Sequence, residues 1–125
     1  MIEYYMDHQS KQIIMDIVNR LNMTHIDPER VVCVTSRGTK SRNIIARCHV
    51  LPRIMQKALS VDSHYVIELV SEKYSKLSDE EKIKTLIHEL LHIPKSFGGG
   101  FRHHDYVTRR TVDRLYDSVR GDIHV

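Results

Sequence analysis

The chain is poor in cysteine. Cys33 and Cys48 are its only two, and no CxxC pair is present, so neither a disulfide framework nor a four-cysteine zinc ribbon can be built from it. Both read as small buried hydrophobes, able to approach each other only if their strands are neighbours. Long apolar runs are missing as well: no stretch nears the roughly 20 residues needed to span a bilayer. The first residues, Met1 to Asp7, lack the basic and apolar regions of a secretory leader. These absences predict a cytoplasmic chain with no membrane partner. Repeats, low-complexity tracts and linker-like segments are also lacking. With 125 residues, 41% hydrophobic and 28% charged, the expectation is one domain spanning 1–125 with a core of its own.

Acidic residues are absent from one segment. Between Arg30 and Lys57 the chain carries Arg30, Arg37, Lys40, Arg42, Arg47, Arg53 and Lys57 and no Asp or Glu, against a net charge of only +3 overall. A solvated face is the plain reading, and weak nucleic-acid association through this run 30–57 is the alternative. No aromatic residues are interleaved to stack bases, which favours the plain reading.

The chemistry lies in His88-Glu89-Leu90-Leu91-His92. Four residues are just over one helical turn, so His88 and His92 project from one face and can grip one Zn²⁺. Glu89 stands one position round, where a general base can reach a water without ligating the metal. Random placement of the histidines and glutamates gives roughly 0.035 chance matches to this pattern. The context strengthens it: Ser78 and Glu81 form a capping box, Asp79 and Glu80 suit the positive end of a helix dipole, and Ile83, Leu86, Ile87, Leu90 and Leu91 make an apolar face. Pro94 stops the helix soon after His92. The competing reading is an ordinary histidine pair on an amphipathic helix.

A catalytic zinc needs a third protein ligand and an open position. The metzincin spacing would place a histidine at 98, but that residue is Gly98, which excludes the pattern. His103 and His104 are the nearest candidates downstream. Helical register favours His104, at the head of a last helix over about 104–119 with Val107 and Thr111 on its inner face. His103 then becomes a nearby polar group, and Asp105 a weaker candidate as ligand or acceptor. Arg102 and Tyr106 are candidate donors to the oxyanion of a tetrahedral intermediate, with a core role equally open for Tyr106. His8, His25, His49, His64 and His124 have no metal-like spacing.

The remaining elements follow from periodicity. Residues 2–6 suggest a short strand and 8–22 an amphipathic helix; 30–35 and 43–49 suggest strands joined as a hairpin, and 52–59 a short helix begun by Pro52. HYVIELV at 64–70 is the clearest strand, and as an edge strand beside the site it would let a peptide pair with it. The fold class expected is α+β, a small mixed sheet packed with helices that include the motif helix.

The segments IARCHVLPRIMQKAL, HYVIELV, HELLHIPKSFGGGFRHHDYV and TRRTVDRLY together resemble the phage and archaeal metallopeptidase family of small zincins, itself similar in pattern to SprT-like and WLM-type metalloproteases. The resemblance covers most of the chain. It implies a minimal zincin-like fold, one Zn²⁺ per chain held by His88, His92 and a downstream histidine, Glu89 as general base, and a protein or peptide substrate. SprT-like relatives carry the third histidine in an HGxxF-type stretch; here no glycine follows the histidines, which leaves His103 and His104 both open. The reading is a zinc-dependent metallopeptidase. Two alternatives stand beside it: a zinc-dependent hydrolase acting on nucleic acid, and a non-catalytic zinc-containing binding module.

Overall fold

The computed structural model describes residues 1–104 and 106–125. Strand β1 (Glu3–Met6) leads into helix α1 (His8–Arg20), which starts where the Asp7 carboxylate accepts the backbone N–H of Ser10 at 2.9 Å. A 3-10 turn at Pro28–Arg30 precedes β2 (Val31–Arg37), followed by β3 (Ala46–Val50), α2 (Arg53–Leu59) and β4 (Tyr65–Val70). Short α3 (Ser71–Tyr74), then α4 (Asp79–Leu91) and α5 (Arg109–Val119), complete the order. The α+β class is as expected.

The sheet order is β1-β2-β4-β3, with β2 and β4 parallel and the outer pairs antiparallel. This corrects two expectations. β2 and β3 do not form a hairpin, because β4 lies between them. HYVIELV is therefore an interior strand rather than an edge. The physical reason is visible in the side chains: Tyr65, Ile67, Glu68, Leu69 and Val70 are all buried, as a strand flanked on both sides requires. β1 is exposed along its whole length and β3 is half-buried at best, as edges are. The connection between β2 and β3 is long and turns through Gly38, whose φ of 102° sits where side chains strain. It crosses the end of β4, where Val70 N–H donates to the Ile45 carbonyl.

One face of the sheet makes the core. Val31, Cys33, Tyr65, Ile67 and Leu69 pack with Ile14 and Ile17 of α1, Leu86, Ile87 and Leu90 of α4, and Val112 of α5. Each fully buried aliphatic side chain contributes about 1.5–3 kcal/mol. The alternate positions Val32, Val34 and Val66 are only half-buried. Cys33 and Cys48 both face the helices but flank Ile67, one strand apart from each other. Both are free thiols, and burial pushes each up to about 12.

Candidate metal centre

Ser78 caps α4 by accepting the Glu81 N–H at 3.2 Å, and three acidic residues follow in the first turn. The buried stripe Ile83, Leu86, Ile87, Leu90 fixes the rotation of the helix on the core. That rotation decides what His88, Glu89 and His92 face. The helix ends earlier than expected, at Leu91, and His92 is its cap residue, with its N–H still bonded to the Glu89 carbonyl at 3.2 Å.

The third imidazole comes from the loop. Arg102 N–H donates to the His92 carbonyl at 2.7 Å, and the His92 ring donates from Nδ1 to the Arg102 carbonyl. A carbonyl only accepts, so Nδ1 carries the proton and Nε2 keeps its lone pair for a metal. Phe101 stacks on His92 at 4.5 Å between centroids, nearly parallel at 13°. The next turn brings His104 to His88 and His92, with ring centroids 5.3 and 4.9 Å away. One ligand nitrogen from each of the three lies within 4.8 Å of the others.

The last helix does not begin at His104. It begins at Arg109, where Thr108 accepts the Thr111 N–H at 3.2 Å. His104 therefore reaches the group from a turn, not from helical register. His103 is exposed and packs edge-on against Phe101 at 5.4 Å, outside the group of three. Asp105 lies outside the described residues. Arg102 and Tyr106 stack on each other, with the guanidinium 3.3 Å from the ring centroid. They line a small cavity beside Met23 and Leu91, separate from the one His88, Glu89 and His104 open onto. Neither Arg102 nor Tyr106, the expected oxyanion donors, lines the cavity that holds His88 and Glu89. Of the remaining histidines, His49 Nε2 meets Glu68 at 2.8 Å, and His64 Nδ1 bonds the Asp62 carbonyl at 2.7 Å.

Electrostatics match the geometry. Burial, with the neighbouring His92 and His104 adding repulsion, drops His88 to about 4. Burial also lowers His92, opposed by its bond to the Arg102 carbonyl and helped by His104 and His103. Both imidazoles are therefore neutral at pH 7, as metal ligands must be. Glu89 is 6% exposed, and burial raises its carboxyl to about 7. Its oxygens sit 3.9 Å from the Nε2 atoms of both His88 and His92, too far for a hydrogen bond and close enough to share a small guest.

Several contributors were not foreseen. Tyr65, at the start of β4, donates its hydroxyl to the Gly100 carbonyl at 2.7 Å and accepts the Gly99 N–H at 3.2 Å. It thereby holds the loop that carries Phe101 and His104. The lead-in to β3, Asn43 to Ala46, forms a wall of the main cavity opposite α4 and α5. The apolar pair Ile44-Ile45 before a half-polar strand was the available signal for that wall.

Three imidazoles beside a buried carboxylate, on an α+β scaffold, are a donor set that could hold a metal ion. The chain belongs to the family described as Putative phage metallopeptidase, whose sequence model matches residues 2–120. Comparison with curated proteins and with solved structures gave no match. Among the described residues, no helix is long and apolar enough to cross a membrane.

Proposed function

We propose that the protein is a zinc-dependent metallopeptidase in which His88, His92 and His104 hold one Zn²⁺ and Glu89 is the general base. The observation that carries this reading is the meeting of the three histidines with the buried Glu89 carboxylate. The group fits zinc: all three donors are imidazoles, two are held neutral by burial, and the described members number three, as in catalytic sites that leave a position for water. Zinc bound there supplies the Lewis acidity that makes water a nucleophile near neutral pH. Glu89 takes the proton of the attacking water and passes it to the leaving amine, from a place within 3.9 Å of the Nε2 atoms of His88 and His92. The His92–Arg102 bond fixes the imidazole that faces Glu89. The substrate is a peptide laid along the unpaired side of β3, whose lead-in borders the cavity.

The test is elemental analysis and peptide hydrolysis on the same preparations. Wild type should hold about one zinc per chain. Glu89→Gln should keep the zinc and lose at least about a hundredfold in kcat. His88→Ala and His104→Ala should lose metal and activity together. Normal hydrolysis by Glu89→Gln would sink the mechanism, and a zinc-free but active wild type would sink the cofactor assignment.

A further inference from the structure

The cavity that His88, Glu89 and His104 open onto has a volume of 580 Å³ and runs on past them. Its floor is α4, receding from His88 through Thr85 to Glu81. Seven residues of helix cover about 10 Å, room for one large side chain beyond the point where the reacting carbonyl must lie. We infer that this recess is a side-chain subsite that admits an apolar residue flanking the scissile bond and rejects a charged one. The inference rests on the peptidase reading and names a substrate preference for it.

The composition of the walls carries the argument. Ile44, Ile45 and Ala46 line one side and Val112 the other, and Val112 is 4% exposed. The charges at the rim are committed to one another. Lys84 pairs with Asp113 at 3.1 Å and with Glu80 at 3.0 Å, and Arg109 lies 3.6 Å from Glu81 and 3.8 Å from Asp113. Of the cavity's own rim residues, Lys84 and Arg109 offset Glu81 and Asp113. An incoming carboxylate would have to compete with Asp113 for both cations, and an incoming cation would meet Lys84 and Arg109. Either would also lose water against the apolar walls, which is costly without a partner. An apolar side chain loses nothing there and gains contact on two sides.

Asp113 is the discriminating position. It is half-exposed, belongs to neither the imidazole group nor Glu89, and its carboxylate is the one that meets both Lys84 and Arg109, beside Glu80 on the first and Glu81 on the second. The experiment uses two peptidyl hydroxamates, identical except for a leucine or an aspartate side chain beside the chelating group, titrated calorimetrically into zinc-loaded protein. Wild type should bind the leucine probe at least about tenfold more tightly, the scale on which pockets sort side chains. Asp113→Asn should tighten the aspartate probe by about fivefold or more, and leave the leucine probe within about twofold. Equal affinities in wild type, or no gain for the aspartate probe in the variant, would overturn the subsite while leaving the peptidase reading in place. Failure of both probes to bind zinc-loaded wild type would overturn the two together.

Discussion

Glu89 is a carboxyl enclosed by the fold without a permanent cation beside it, and the consequences can be measured without substrate. In metal-free protein its carboxyl rises from an ordinary 4.5 to about 7 through burial. Between those values the folded chain keeps a proton that the unfolded chain has released. The contribution of Glu89 to folded stability therefore falls as pH rises from about 4.5 to about 7, by up to about 3 kcal/mol, opposite in sign to that of His88, which burial holds neutral. Glutamine has the same shape and never ionises. Metal-free Glu89→Gln should be more stable than wild type by about 2–3 kcal/mol at pH 8 and equal to it near pH 4, read from urea unfolding. Equal stability at pH 8 would show that the carboxylate is solvated in the fold. At this scale the motif was legible: a four-residue spacing within one helix fixes the relation of His88, Glu89 and His92 whatever surrounds them. Helical register points to His104, but the fold does not use that register, since the last helix starts five residues later. The real position of His104 comes from the backbone bond and the imidazole bond between His92 and Arg102 and from the turn in which Tyr106 and Val107 N–H groups both point to the His103 carbonyl.

The loop from Gly98 to His104 shows how one element is positioned by another. Tyr65 grips it through both a donated and an accepted hydrogen bond, and the ring beneath packs edge-on to Phe97 at 5.0 Å. Gly99, at φ 100°, allows the close pass, because a Cβ there would sit 2.6 Å from the Gln56 side-chain nitrogen. Tyr65→Phe keeps the ring and removes only the grip. It should cost about 1–2 kcal/mol of stability. It should also weaken zinc binding by about tenfold, since His104 must then be ordered by the metal itself. Competition against a chromogenic chelator separates the two effects. A destabilised variant with unchanged zinc affinity would show that Tyr65 supports the fold and not the metal group. Such contacts were illegible in the sequence because they join residues more than thirty positions apart. The strands show the same limit. Periodicity found all four, but adjacency in the chain suggested that β2 pairs with β3, and only the unbroken apolarity of Tyr65 to Val70 hinted at an interior place for β4.

Sheet order has a consequence for the molecule as a whole. With β4 enclosed, the free sides of the sheet belong to β1 and β3. β1 lies at the far side from β3, with Tyr4, Tyr5 and Met6 exposed and no part in the main cavity. β3 begins at Ala46, which with Ile44 and Ile45 just before it lines that cavity along with His88 and Glu89. Under the proposed peptidase reading, an extended peptide that adds to the sheet at β3 would pass beside the cavity that holds His88 and Glu89, whereas one that adds at β1 would not. Pairing of this kind depends on the peptide's main-chain N–H groups, so it can be removed without altering any side chain. A cleaved peptide resynthesised with N-methyl groups at alternate amides away from the scissile bond should lose at least about tenfold in kcat/KM, the worth of one or two backbone hydrogen bonds. Methylating the intervening amides, which point away from β3, should cost far less. Equal losses in the two series would show that the peptide is held by its side chains alone. In that case the sheet would serve only to carry α4, and the recess lined by Ile44 and Val112 would have to set the direction of the chain as well as its preference.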